Sequence, residues 1–182
     1  YSEGANKEAL RHIVGVQFRN LATVGGSVFG RFGFSDVLTL LLVMDSYVEL
    51  YKGGIVPLAD FVNMPYDRDI LVRVIVKKTA AHYSYKSVRI SKTDFPVLTC
   101  AAALTQEGVQ VAVGARPAKA AMVKDAEKLA TLPMTAEKAQ AFAEYAAGLL
   151  PTETNPRGSA AYRTHLIKVL TARCLTELGG KA

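Results

Sequence analysis

At 182 residues the chain can bury a substantial core as one large domain or two small ones, and half of it is hydrophobic against 21% charged, an ordinary globular balance. The net charge of +6 would tolerate an acidic ligand, but the basic residues are dispersed, so the excess concerns solubility and steering rather than fold. Cys100 and Cys174 lie far apart and match no metal-ligand spacing, which disfavours a disulfide scaffold and suits a reducing cytoplasm. The longest apolar run, residues 37–44, is far too short to span a bilayer, and no signal peptide is visible. The sequence opens on Tyr1 in mid-pattern and is expected to be part of a longer protein.

In chain order, Ala5, Ala9, Ile13 and Val16 stand near helical spacing and predict a helix over residues 3–16. Thr23-Val24 then reads as a strand end running into Gly25-Gly26-Ser27, a turn whose N–H groups can face an anion. Ser35 caps a helix over residues 36–45, placing the Asp36 carboxylate close in sequence to that glycine turn. Residues 47–51 alternate as a strand, Lys52-Gly53-Gly54 is a hairpin turn, Ile55-Val56 returns, and Pro57 opens a short helical turn. Residues 69–76 form a β-branched strand, expected to be buried on at least one face.

Residues 83–90, 97–104 and 109–113, with a turn at Gln106-Glu107-Gly108, predict an antiparallel sheet. Two alanine-rich helices follow over residues 118–130 and 136–149, the second with Thr135 as its cap. A last helix is capped by Ser159 and closed by Gly179-Gly180. The order of elements gives an α+β fold: mixed sheet and helices over residues 1–79, then antiparallel sheet plus helices over residues 80–182.

Familiar catalytic sets are not supported. His12, His82 and His165 are scattered, no Gly-x-Ser-x-Gly elbow surrounds Ser27, no Walker lysine follows the glycines, and the GxGxxG fingerprint is missing. Lys77, Lys78, Lys86, Arg89 and Lys92, interleaved with Tyr83 and Tyr85, invite a nucleic-acid reading. Alternation, however, puts Lys86 on the face opposite Tyr83, Tyr85 and Arg89, and a solvated strand face explains the pattern as well. Residues 157–163 (RGSAAYR) read as a loop and helix cap, with Tyr162 anchoring the helix and the arginines pairing nearby acids.

Taken together, these segments resemble the flavin subunit of the molybdenum hydroxylases, the family that includes the FAD subunits of xanthine dehydrogenase and the medium subunit of aerobic carbon monoxide dehydrogenase. Gln17-Phe18-Arg19-Asn20-Leu21-Ala22-Thr23-Val24-Gly25-Gly26-Ser27 resembles the family's Q-I-R-N-x-A-T-I-G-G-N/S segment. Ser35-Asp36 stands at its Ser-Asp, Val56-Pro57-Leu58-Ala59-Asp60-Phe61 at its PL-x-DF, Asp69-Ile70-Leu71 at its EIL, and residues 157–163 at its R-G-S-x-x-Y-R.

The resemblance implies a cofactor, FAD, and an oxidoreductase subunit that passes electrons from iron–sulfur clusters through FAD to NAD or another acceptor. It implies that Thr23, Val24, Gly25, Gly26 and Ser27 wrap the pyrophosphate, that Asp36 meets a flavin sugar hydroxyl, and that Leu71 meets the isoalloxazine edge. Lys86 is implied to stand near the flavin, and Phe95 and Ile13 against its ring. The implied partners are a molybdopterin-binding large subunit and a small subunit with two-iron–two-sulfur clusters, with no nucleic acid and no membrane span. Ser27 replaces the commoner Asn, and the family's first subdomain, with its own glycine-rich loop, would precede Tyr1. The alternative is a non-catalytic assembly module of the same fold that binds no flavin on its own.

Overall fold

A computed structural model describes residues 1–181. Its first third is built around α4 (Asp36–Leu42), in which every residue is buried. Ser35 stands in extended backbone before it and accepts the Leu38 N–H at 3.2 Å, so the predicted cap forms. Each fully buried aliphatic side chain of this helix contributes about 1.5–3 kcal/mol relative to exposure.

Before α4 come three short helices, α1 (Ala5–Leu10), α2 (Val16–Leu21) and α3 (Val24–Phe29), of which α1 and α3 pack on it. Two expectations are corrected here. The single helix expected over residues 3–16 is broken: α1 ends at Leu10 and a new helix starts after Gly15, where the Arg19 guanidinium folds back onto the Ile13 and Val14 carbonyls at 2.6 and 2.7 Å. The expected strand end at Thr23-Val24 is instead a helix start. Thr23 is extended, and its hydroxyl accepts the Gly26 N–H at 3.0 Å, which draws the two glycines into the first turn of α3.

A three-stranded antiparallel sheet follows, in the order β2-β1-β3, from β1 (Ser46–Leu50), β2 (Gly54–Pro57) and β3 (Leu71–Val76). Gly54 takes a positive φ of 69° in the hairpin, and α5 (Leu58–Phe61) leaves β2 through Pro57. No residue of β3 is fully buried, because it is an edge strand. Leu71, Val74 and Val76 are partly covered by the core, whereas Val72 faces outward.

Residues 77–81 lead into a four-stranded antiparallel meander: β4 (His82–Val88), β5 (Leu98–Thr105), β6 (Gly108–Gly114) and β7 (Ala121–Lys124). The alanine-rich stretch expected to be a helix over residues 118–130 is therefore corrected to an edge strand and a loop. Residues 121–124 pair in register with residues 110–113, and Asp125 then accepts the Leu129 and Ala130 N–H groups. Ladder pairing on an otherwise open edge outweighs the small helix preference of alanine.

The meander is covered on both faces. Tyr83, Tyr85, Ala101, Ala103 and Ala112 join α4 in one apolar cluster. Cys100, Ala102, Val111 and Val113 face α6 (Ala136–Leu149) and α7 (Ala160–Gly179) in a second. The predicted caps Thr135 and Ser159 accept the Lys138 and Tyr162 N–H groups. The anchor of α7 is Arg163, not Tyr162. Arg163 is fully buried and donates to the carbonyls of Val97, Glu153 and Gly158 and to Asn155, while Tyr162 is exposed. A guanidinium carries five donors, so it alone can close that many acceptors. The fold is α+β.

Candidate functional site

The first turn of α3 presents donors without acceptors. The Val24 and Gly25 N–H groups precede any carbonyl that an α-helix could offer them, and Gly26 donates to the Thr23 side chain. Thr23, Val24 and Gly26 are exposed, and Gly25 and Ser27 half-buried. Leu71 is brought directly beneath: a Cβ on Gly25 would lie 3.7 Å from Leu71 Cδ2, an ordinary contact, at unexceptional φ. Glycine at position 25 is therefore not demanded by the chain's own packing, although it costs the helix about 1 kcal/mol relative to alanine. A bare backbone in an exposed first turn suits a group that lies flat against it, and the residues present fit an anionic dinucleotide there.

Asp36 lies behind this turn and is almost wholly enclosed. One carboxylate oxygen, Oδ1, accepts from the Tyr85 hydroxyl at 2.6 Å and from the Arg89 guanidinium at 2.5 Å, and the side chains of Arg89 and Asp36 are 6% and 8% exposed. Burial raises the Asp36 carboxyl above the usual carboxylate range, with Tyr85 and Arg89 opposing it. The same burial, with the adjacent Asp36 charge, drives the Tyr85 hydroxyl well up. His12 borders this group; burial and the Arg89 charge hold its imidazole below its usual range. Two buried nitrogens in this corner, His12 Nδ1 and Arg89 Nε, find no hydrogen-bond partner among the described residues.

From Arg89 a circuit of contacts runs outward. Arg89 donates to the Asp94 carbonyl, and the Asp94 carboxylate takes Arg157 Nε and Nη2 at 3.2 and 3.1 Å. That bidentate pair, with the Phe95 N–H, holds the Asp94 carboxyl below its usual range. Arg157 lies over the Phe95 ring, 5.2 Å from its centroid. Phe95 leans on Phe34 at 4.4 Å, and Phe34 stacks on Phe32 at 5.2 Å and 10°. The chain then returns through Ser35, whose hydroxyl donates to the Ser27 carbonyl at 3.2 Å. Phe95 is thus an exposed member of an aromatic stack tied both to the glycine helix and to the RGSAAYR segment.

Lys86 is not in this circuit. As alternation predicts, it leaves β4 on the face opposite Tyr85, where its ammonium meets Glu177 of α7 at 2.7 Å. It shares a groove with Glu8 and Arg173 that includes no residue of the glycine turn. Ile13 packs against the α4 cluster at the end of the α1 segment. The structure therefore brings Thr23, Val24, Gly25, Gly26, Ser27 and Leu71 together, sets Asp36 and Phe95 in an adjoining network, and leaves Lys86 on another face. Tyr85 and Arg89 escaped the sequence reading as partners of Asp36. Alternation sets Tyr85 and Arg89 on one side of β4 and its end, but nothing in that spacing points to Asp36.

Comparison with known proteins identifies the family. Residues 2–79 match the family model for the FAD-binding domain in molybdopterin dehydrogenase, and residues 83–178 that for the CO dehydrogenase flavoprotein C-terminal domain. The chain is 30% identical over 169 residues to the YgfM protein of Escherichia coli, covering 92% of this chain and 62% of that protein. It is 28% identical to the nicotine 6-hydroxylase medium subunit of Paenarthrobacter nicotinovorans, covering 94% and 65%. The fold superimposes on a chain of carbon monoxide dehydrogenase from Hydrogenophaga pseudoflava with a TM-score of 0.84 at 21% identity, over 96% of this chain and 67% of that one. The curated relatives are thus longer than this chain, which spans less than two thirds of each. The chain belongs to the FAD-binding medium-subunit family of the molybdenum hydroxylases.

Proposed function

We propose that this chain is the larger part of an electron-transfer flavoprotein subunit, acting between the iron–sulfur clusters of a small partner and NAD or another acceptor, in an assembly whose large subunit carries molybdopterin. The observation that carries this reading is the exposed, glycine-bearing first turn of α3 seated on Leu71, within the residues matched to the FAD-binding domain. Bound FAD supplies the one- and two-electron redox chemistry; the protein supplies position and charge.

The Val24 and Gly25 N–H groups and the Ser27 hydroxyl hold the pyrophosphate, and glycine lets it approach the helix closely. The free oxygen of Asp36 accepts a sugar hydroxyl while Oδ1 remains with Tyr85 and Arg89, so that network fixes the carboxylate's direction. Leu71 supports the isoalloxazine edge, with Ile13 and Phe95 at its margins. Lys86, paired with Glu177 on the other face of β4, is left out of this reading. The side chains of Val16, Leu21 and Ile70 are 60%, 87% and 66% exposed, and α2 buries none of its residues. An apolar face beside the glycine turn suits the family's first subdomain, with FAD between the two.

Gly25→Ala tests the reading. The added methyl has room in the folded chain, so thermal stability should hold or rise, while FAD affinity of the full-length subunit should fall about tenfold or more, or about 1.4 kcal/mol. A subunit that stays colourless with added FAD would support the assembly-module reading instead.

A further inference from the structure

Arg31 stands just past the end of α3 and takes no part in the proposed FAD contacts, yet it is only 4% exposed. Its Nη1 donates to the Met64 and Pro65 carbonyls at 2.7 and 3.0 Å and, among the described residues, to no carboxylate. Its Nε is buried without a hydrogen-bond partner. The guanidinium carbon lies 4.0 Å from the Phe61 ring centroid, 4.6 Å from that of Tyr66 and 5.7 Å from that of Phe29. The residue also holds a left-handed φ of 48°, which a side chain adopts only where its surroundings enforce it. A buried cation and a strained backbone are each unfavourable alone; here ring faces and carbonyl oxygens offset the lost hydration of the charge.

Both carbonyls belong to the segment 62–70, which joins α5 to β3. Tyr66 of the same segment returns the contact, its hydroxyl donating to the Gly30 carbonyl at 2.5 Å. At the other end of the segment, Asp69 accepts the Lys52 and Gly53 N–H groups of the β1–β2 hairpin at 2.9 and 2.8 Å. Leu71 comes two residues later and meets the glycine turn at Gly25. One segment is therefore fastened beside the C-terminal end of α3 and delivers Leu71 to the N-terminal turn of that same helix. A planar guanidinium suits the first fastening, because it stacks flat on rings while its edge reaches two carbonyls, and an ammonium does not.

We infer that Arg31 and Tyr66 form a clamp that positions Leu71 against the glycine turn, so that the support of the isoalloxazine edge is set from the far end of α3. The inference rests on the proposed reading that Leu71 meets the flavin. Arg31 and Tyr66 are positioning residues, and they act through the segment 62–70. With the clamp intact, Leu71 is held in place before the ligand arrives; without it, the segment must be ordered as FAD binds, which weakens affinity and changes how the ring is seated.

The test uses the full-length subunit and the variants Tyr66→Phe, Arg31→Met, Leu71→Ala and the double variant Tyr66→Phe with Leu71→Ala. FAD affinity, the visible circular dichroism of the flavin at saturating FAD, and the melting temperature without FAD are measured for each. Tyr66→Phe deletes one hydroxyl from an exposed ring, so the melting temperature should barely move. It should nevertheless weaken FAD about threefold and alter the dichroism of the bound flavin, which a purely structural contact would leave alone. Arg31→Met should weaken FAD about tenfold or more, and where it fails to fold, Tyr66→Phe decides. A contact that acts through Leu71 has no effect once Leu71 is gone, so the double variant should bind FAD about as weakly as Leu71→Ala alone. Unchanged affinity and dichroism in Tyr66→Phe overturn the inference, as does a double variant whose loss is the sum of the singles; either result leaves the flavoprotein reading standing. A wild-type subunit that takes up no FAD overturns both.

Discussion

Asp36 and Arg89 offer the sharpest test of how the residues matched to the FAD-binding domain are locked to the residues that follow. Both side chains are nearly sealed from water, the carboxylate faces the guanidinium at 2.5 Å, and Arg89 Nε already lacks an acceptor. Asp36→Asn leaves a buried guanidinium facing a neutral amide; Arg89→Met leaves a buried carboxylate with only the Tyr85 hydroxyl. Removal of one partner from a buried pair costs about 3–5 kcal/mol, because the other charge stays desolvated without compensation. For a chain of this size that is a fall in melting temperature of about 6–20 °C. The double variant removes both charges and should be more stable than either single variant, giving a coupling of several kcal/mol between the sites. The assay is urea denaturation followed by circular dichroism, with the slope required to stay constant across the four proteins. Single variants that each cost less than about 1 kcal/mol would refute the reasoning, as would a double variant whose loss equals the sum. FAD titration of the same set separates structure from ligand contact: Asp36→Asn should weaken FAD further than Arg89→Met, which retains the carboxylate.

Other consequences follow from single contacts. Arg163→Met should destabilise by about 3 kcal/mol or more, because it strands several buried acceptors, and Arg163→Lys should not rescue it, since an ammonium cannot span them; chemical denaturation measures both. Gly33→Ala should abolish folding, because the new Cβ would sit 2.0 Å from the Ala118 carbonyl oxygen, whereas Gly148→Ala has nothing within 4 Å and should gain up to about 1 kcal/mol by thermal melting. The Glu177 carboxyl, held at about 2 against an ordinary 4.5, contributes stability that is present above pH 4.5 and is lost as pH falls toward 2. Its side chain is 39% exposed, so solvent screening reduces that contribution to about 1 kcal/mol. Glu177→Gln should accordingly lose about 1 kcal/mol at pH 7 and show a flatter stability profile between pH 5 and pH 3.

Capping residues and period made much of this fold legible. Ser35, Thr135 and Ser159 each carry a hydroxyl where the first free N–H groups need one, and each caps the helix expected of it. The failures have a common cause, since local propensity was read without the neighbour that decides the outcome. Thr23-Val24 is β-branched and reads as strand, but the Thr23 hydroxyl has an N–H to accept three residues on and starts a helix. Residues 121–124 carry helix-favouring side chains, yet β6 presents an unpaired edge to them. The glycine turn and Asp36 were readable as candidate site residues by their company in sequence. The partners of Asp36 were not, because Tyr85 and Arg89 arrive from a strand roughly fifty residues away.

The distribution of these contacts bears on how such a site keeps its shape. A glycine-bearing helix of six residues has little intrinsic stability, and about four turns of good helix are needed before a helix persists alone. Its position must therefore be imposed from outside. Leu71 supports it from the three-stranded sheet, Ser35 ties its Ser27 carbonyl to the start of α4, and Asp36 fastens that start to β4. Beyond Arg89, Asp94 and Arg157 extend the same restraint to the loop before α7. RGSAAYR thus lies far from the glycine turn in sequence yet acts on the same element: Arg163 fixes α7 from within, and Arg157 holds the loop that carries Phe95. A substitution at Arg157 should for that reason disturb FAD affinity more than global stability. Its pair with Asp94 is about one third exposed and adds little to folding, whereas the loop it steadies stands beside the proposed flavin face. Equal loss of melting temperature and of FAD affinity in Arg157→Ala, against an unaffected Asp94→Asn, would break this chain of restraint at its second link.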